Sequence, residues 1–157
     1  MKNNKVYFAS PWFTPEQEER EERLKAKLRS LGFVVHSPKE EAVCGAISDT
    51  KTRQRIFQGN IDAINDCDIV FAITDGKDMG TIWEAGYAYG YNAAAMSEDA
   101  WYKPIKIVYY CETLGDGQFN LMLAQSGDII ITKFEDMDKL PELIAEGKKV
   151  SYVGRIQ

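Results

Sequence analysis

The sequence predicts a single α/β domain built on a five-stranded, mostly parallel sheet with helices on both faces. Three observations predict it. Strand-like and helix-like segments alternate along the chain, with no internal repeat and no low-complexity linker. Residues 68–74, DIVFAIT, form a nearly continuous apolar run rich in β-branched side chains, the pattern of a strand covered on both faces. The length, 157 residues, suits one domain spanning residues 1–157.

Residues 5–9, KVYFA, read as a first strand that stops at Ser10-Pro11, because proline cannot continue a central strand. Thr14 then caps a helix whose first residue is Pro15 and whose capping-box partner is Gln17. This helix runs to about Leu31 and ends at Gly32, with its acidic half first (Glu16 to Glu22) and its basic half last (Lys25, Lys27, Arg29), as the macrodipole favours. The acidic run reads as a solvated helix face. Residues 33–36, FVVH, form a short second strand, and residues 37–52 a long loop. A second helix spans 53–65, with Ile56, Asn60, Ala63 and Ile64 on one face. After the strand at 68–74 comes a turn, 75–80, and a third helix, 81–96. A strand at 104–110, a short helix or turn at 120–126, a strand at 128–132 and a helix at 136–146 complete the chain. The order is that of a Rossmann- or flavodoxin-like sheet, whose ligand crevice lies beyond the carboxyl ends of the strands.

Composition narrows the chemistry. Lys and Arg number 19 against 24 Asp and Glu, a net charge of −5, which disfavours a partner that is bound through its phosphate backbone. No apolar run is long enough to span a bilayer, and the N-terminal apolar stretch is too short for a signal peptide, so the cytosol is the expected location. The three cysteines, Cys44, Cys67 and Cys111, form no CxxC pair and read as small core residues. His36 is the one histidine, which excludes a multi-histidine metal site and directs attention to carboxylates. His36 itself reads as a partly buried strand-end residue, and the sequence names no partner for it. Neither a glycine fingerprint after the first strand nor GxxxxGK[ST] occurs, which disfavours a bound dinucleotide or a Walker-type phosphate cradle.

The informative stretch is Asp78-Met79-Gly80-Thr81-Ile82-Trp83-Glu84-Ala85-Gly86-Tyr87-Ala88-Tyr89-Gly90. Glu84 falls in the first turn of the third helix and shares a stripe with Tyr87, Ala88, Tyr91 and Ala95. That stripe should face the sheet and point Glu84 into the crevice, where a poorly hydrated carboxylate at a helix N-terminus is held ionised as a nucleophile. Each residue also has a structural reading. Thr81 and Glu84 can form a capping box, Asp78 can be a turn residue, and Gly80, Gly86 and Gly90 can allow close helix–sheet packing. Tyr7 can reach the same crevice or be a satisfied core tyrosine. Trp12 and Phe13 can stack on a flat heterocycle or staple the Thr14 cap. Asn120, in the late segment with Met122, can be a helix cap.

Together these residues resemble the nucleoside 2-deoxyribosyltransferase family. The resemblance rests on VYFASPWF, on IFQGNIDAINDCDIVFAITDG, on DMGTIWEAGYAYG and on FNLMLAQSGD, in that order, and covers residues from about 5 to about 132. It implies that Glu84 is the nucleophile, that Tyr7 tunes its carboxylate, and that Asp78 binds the base and helps move its proton. It also implies that Trp12 and Phe13 wall the base and sugar and that Asn60 and Gly80 belong to the substrate site. Asn120 and Met122 are implied to reach a site of a neighbouring subunit in a homo-oligomer, a hexamer or smaller. Two departures stand out. Asn60 occupies a position where the family often has aspartate, and Asp62 points to another side of the helix. The chain ends Gly154-Arg155-Ile156-Gln157, without the family's aromatic last residue.

The implied chemistry is a double displacement, with 2′-deoxynucleosides and free nucleobases as substrates, nucleoside salvage as the setting, and no metal or organic cofactor. One alternative is an N-glycosidase acting on a nucleoside, or on a deoxynucleotide whose 5′-phosphate is held by Arg53, Arg55 or serine hydroxyls. Another is a sensor of nucleoside-derived ligands in which Glu84 is only a cap.

Overall fold

The computed structural model describes residues 4–41, 49–97, 103–114 and 117–157. Five strands, β1 (Lys5–Ala9), β2 (Val34–His36), β3 (Ile69–Ile73), β4 (Lys106–Tyr110) and β5 (Ile129–Ile131), form one sheet in the order β2-β1-β3-β4-β5. Every adjacent pair is parallel. The helices are α1 (Pro15–Ser30), α2 (Thr50–Asp66), α3 (Met79–Ser97), α4 (Leu121–Ser126) and α5 (Leu140–Ala145), with a 3-10 turn at Phe134–Lys139. The chain moves outward from β1 to β2, then returns past β1 to β3 and continues the other way. The carboxyl ends of β1 and β3 therefore flank the point where the winding reverses, which is where this architecture opens a crevice.

Alternation along the strands divides the core. Val6, Phe8, Ile69, Phe71, Ile73, Val108, Tyr110, Ile129 and Ile131 face Leu24 and Leu28 of α1 and Leu140 and Ile144 of α5. Tyr7, Ala9, Val70, Ala72, Ile107, Tyr109 and Ile130 face Ile64 of α2 and Ala85 and Ala88 of α3. Each large aliphatic side chain in these layers contributes about 1.5–3 kcal/mol by leaving water. On the second face the central strands finish in Ala9 and Ala72, so their carboxyl ends carry only methyl groups there.

Most element boundaries fall where expected, and the departures have identifiable causes. Helix α2 begins at Thr50, inside the expected loop, because Asp49 caps it by accepting from the Lys51 and Thr52 amides at 3.0 and 2.9 Å. Helix α3 begins at Met79, two residues early, which puts Glu84 in its second turn. The last expected helix is a 3-10 turn followed by α5, and Pro141 sits in the first turn of α5, where its missing N–H costs nothing. Thr14 does cap α1, accepting from the Gln17 amide at 3.3 Å, but the Gln17 side chain reaches back to the Phe13 amide at 2.8 Å instead of to Thr14.

The acidic run of α1 is not wholly solvated. Glu21 and Lys25 are buried and paired at 3.2 Å, and Glu21 also accepts from the Ser37 hydroxyl at 3.0 Å and pairs with Lys39 at 2.9 Å. Lys25 reaches Glu40 at 3.1 Å as well. These contacts bind α1 to the start of the segment after β2. Residues 42–48 of that expected loop, Cys44 among them, lie outside the described residues. Cys67 and Cys111 are buried free thiols. Among the described residues, no helix is long and apolar enough to cross a membrane.

Candidate active site

Tyr7 lies in the middle of β1, level with Val70 on β3 and His36 on β2, and is fully buried. Its hydroxyl donates to Oε1 of Glu84 at 2.6 Å. Glu84 is placed by the turn before α3. Gly76 and Lys77 there take left-handed conformations in succession, with φ of +83° and +53°. Glycine adopts that conformation freely, whereas Lys77 holds it at a cost of roughly 1 kcal/mol. The reversal brings Asp78 to the helix N-terminus, where one carboxylate oxygen, Oδ2, accepts from the Thr81 amide at 2.7 Å and the Thr81 hydroxyl at 2.9 Å. A Cβ on Gly80 would come within 3.1 Å of that oxygen, so glycine here leaves room for the cap to fold back.

The cap of α3 is therefore Asp78, and the alternative capping box between Thr81 and Glu84 does not form. The Glu84 carboxylate is directed to Tyr7. Gly86 and Gly90 do not serve close packing on the sheet either. Both are exposed, and a Cβ on either would meet nothing within 4 Å.

Burial pushes the Glu84 carboxyl upward, the Tyr7 hydrogen bond lowers it, and the negative charge of Asp78 raises it, leaving its pKa at about 7. The Tyr7 phenol is driven far above its ordinary range, first by burial and then by Glu84, so it remains a proton donor. Glu84 is thus poorly hydrated, as expected, but it is balanced between its charged and neutral forms near neutrality instead of being held fully ionised.

The other expected site residues divide into two groups. Trp12 and Phe13 follow β1 at the crevice, their ring centroids 5.6 Å apart. Phe13 is 71% exposed, and the position a staple would use, four residues into α1, is Glu18, so Phe13 staples nothing there. Asn60 is half-buried on α2. Asn60 also shares the α2 stripe of Ile64, which packs with Tyr7. Asp62 is exposed and accepts from Gln58 at 2.8 Å.

Asn120 and Met122 are not brought to Glu84. Asn120 caps α4, accepting from the Met122 and Leu123 amides at 2.9 and 3.3 Å. Both residues line a cavity of about 430 Å³ with Thr74, Lys77, Ile82 and Gln157, and neither Tyr7 nor Glu84 borders it. Ile82 lies on the opposite side of α3 from Glu84, so the helix stands between the two regions.

Contacts that sequence reasoning missed also surround the pair. Phe57 of α2 meets Trp83 of α3 at 5.7 Å, Trp83 stacks on Tyr87 at 5.7 Å, and the Tyr87 hydroxyl donates to Asn65 at 3.0 Å. These pin α2 to α3 beside Glu84. The four-residue spacing of Trp83 and Tyr87 was the available signal. His36, for which the sequence named no partner, stacks on Tyr7 at 5.6 Å. Among the described residues, no group of three or more His, Cys, Asp and Glu side chains is gathered to hold a metal ion.

Comparison with known proteins identifies the family and the fold. The chain matches the family model described as Nucleoside 2-deoxyribosyltransferase over residues 6–127, from β1 through α4. Among solved structures it is similar to a 2-deoxyribosyltransferase from the psychrotolerant bacterium Bacillus psychrosaccharolyticus, with 25% identity and a TM-score of 0.78 over 95% of this chain and 99% of that one. It also shares its fold with a conserved protein from Enterococcus faecalis V583, at 20% identity and a TM-score of 0.56 over 98% and 90% of the two chains. No curated protein matches it by sequence. On the extent of the family match, which includes Tyr7, Asn60, Asp78, Glu84, Asn120 and Met122, the chain belongs to the nucleoside 2-deoxyribosyltransferase family.

Proposed function

We propose that this protein exchanges the base of a 2′-deoxynucleoside through a covalent deoxyribosyl-Glu84 intermediate. The observation that carries the reading is the hydrogen bond from the buried Tyr7 hydroxyl to a carboxylate that ionises near neutral pH. Oε2 of Glu84 attacks C1′ as the C1′–N bond breaks, through a transition state with oxocarbenium character. The bonding electrons leave with the base nitrogen, which takes a proton or a hydrogen bond at the Asp78 side of the crevice or from solvent. A second base then attacks C1′ through nitrogen and gives up its N–H proton by the route that supplied the departing base, the ester bond breaks, and the carboxylate is restored. Two displacements return the original anomeric configuration.

Tyr7 fixes one oxygen of Glu84 and leaves the other for attack. The Asp78 oxygen Oδ1 takes part in neither bond to Thr81 and is the atom offered to the base. Ala9 and Ala72 leave room for the furanose, Trp12 and Phe13 wall the base and exclude water, and Asn60 hydrogen-bonds the base without exchanging a proton at neutral pH. Gly80 serves the site by keeping the Asp78 cap in place.

Asn120 and Met122 are assigned to the site of a second copy in a homo-oligomer. Their separation from Glu84 within one chain supports this, as do the exposed apolar side chains of Met79, Trp83, Tyr89 and Met122. The setting is nucleoside salvage in the cytoplasm.

The deciding experiment is mass spectrometry after incubation with a slowly turned over 2′-fluoro-2′-deoxynucleoside. A pentosyl adduct on the peptide carrying Glu84 is expected. An unlabelled protein that still transfers the sugar would rule out the covalent mechanism.

A further inference from the structure

The single histidine of the chain stands beside the nucleophile pair, and the chemistry above gives it no task. His36 is the β2 register partner of Tyr7. The two rings stack with centroids 5.6 Å apart and planes 24° from parallel. Nδ1 of His36 lies 3.3 Å from Oε1 of Glu41, whose side chain is exposed. Nε2 is buried and has no hydrogen-bond partner among the described residues.

The surroundings of Tyr7 explain why this stack matters. Toward the carboxyl ends of the strands, its neighbours on the same sheet face are Ala9 and Ala72, whose methyl groups are the smallest side chains in this layer. The opposite flank is Val70, and the helices contribute Ile64, Ala85 and Ala88. Among the described residues, His36 is the only ring that stacks on Tyr7. A phenol that must hold its hydroxyl 2.6 Å from a carboxylate oxygen depends on the orientation of its ring, and the aliphatic neighbours fill space around that ring while His36 lies against its face.

We propose that His36 is the positioning residue of Tyr7: its flat ring, stacked on the phenol ring, holds the Tyr7 hydroxyl on Glu84. The inference rests on the proposed function for its effect on turnover, while its effect on the Tyr7 hydroxyl stands apart from that function.

Three variants and two readouts test it. His36→Phe keeps a flat ring and, among the described residues, gives up the contact to the exposed Glu41 and no hydrogen bond at Nε2. His36→Ala removes the ring. His36→Leu keeps bulk without a ring and replaces the alanine variant if that one does not fold. The first readout is the Tyr7 hydroxyl proton in NMR, assigned by its loss in Tyr7→Phe. It is expected downfield and protected from exchange in the wild type and in His36→Phe, and exchange-broadened or absent in His36→Ala and His36→Leu. The second is steady-state transfer. Loss of the ring should lower kcat about 3–10-fold with KM nearly unchanged, and the Phe variant should stay within about twofold of wild type.

A Tyr7 proton and a kcat unchanged in His36→Ala, or lost alike in the alanine, leucine and phenylalanine variants, would overturn the proposal. So would absence of a protected Tyr7 proton in the wild type. A wild type that shows the proton but transfers no sugar would refute the proposed function, and the proton signal of the variants would still decide the role of His36.

Discussion

The Tyr7 hydroxyl and Oε1 of Glu84, 2.6 Å apart, join the middle of β1 to the second turn of α3 and set opposite electrostatic demands on each other. The phenol lowers the carboxyl pKa, and the carboxylate raises that of the phenol. Burial outweighs the hydrogen bond at Glu84, so the group that must be ionised to attack does so only near pH 7. Much of the expected behaviour follows from that balance.

Tyr7→Phe removes the one influence that lowers the Glu84 pKa and leaves burial and Asp78 to raise it. The acidic limb of kcat/KM, expected near pH 7 in the wild type, should move to higher pH. The loss of activity should therefore be larger at pH 6 than at pH 9. Where Glu84 is ionised, the remaining loss should be about 10–100-fold, the worth of a hydrogen bond to a charged group. A pH–rate profile of the two enzymes checks this, and an unmoved limb would contradict the assigned electrostatics.

Glu84→Gln should abolish transfer at every pH and yet stabilise the fold above neutrality. The folded-state pKa of about 7 lies above the ordinary 4.5, so between these values the folded protein binds more protons than the unfolded chain. Stability conferred by this group is full below pH 4.5 and is lost as pH rises through about 7. Glutamine carries no charge to bury. The variant should match the wild type near pH 5 and exceed it at pH 8, by on the order of 1–3 kcal/mol. Denaturant melts at the two pH values test the sign, and a variant less stable than wild type at pH 8 would refute the buried-charge argument.

The layers of the fold were legible because DIVFAIT, KVYFA and the cap at Thr14 are local signals that tertiary packing did not override. Glu84 was legible because a helix repeats every three to four residues, and Ala88 of its stripe is buried. The identity of the cap was not. Asp78 and Thr81 are both good capping residues in sequence, and the choice rests on the left-handed Gly76-Lys77 turn, which aims Asp78 at the helix end. Glu21 was misread because its partners, Ser37 and Lys39, are far along the chain. His36 appeared without a partner for the same reason, since parallel register across two strands cannot be read from either strand alone.

Asp78 has two roles that its variants should separate. Asparagine is as good a cap as aspartate, so Asp78→Asn should keep the bonds from Thr81 and the stability of α3. It also removes a negative charge near Glu84, which should move the acidic limb to lower pH. Alanine at the same position should cost about 0.5–2 kcal/mol in addition. If Asp78 assists the leaving base, both variants lose turnover while only the alanine variant loses stability. Equal destabilisation of the two would mean that the carboxylate charge, and not its hydrogen bonding, holds the helix end.

Asn60 lies half-buried on the α2 stripe of Ile64, which packs with Tyr7. Asn60→Asp places a titratable carboxyl there at nearly constant shape. Transfer should survive, because the substitution creates no clash and the face is only half buried. Two changes in the profile are expected, with opposite origins. A second negative charge facing the pair disfavours ionisation of Glu84, as Asp78 already does, and shifts the acidic limb upward. The introduced carboxyl can also exchange a proton with the base, which asparagine cannot, and that should alter the ranking of acceptor bases. Rates for a panel of purine and pyrimidine acceptors across pH would show both effects. A variant with wild-type profile and preference would place residue 60 away from the base, and complete loss of activity would show that a neutral amide is required there.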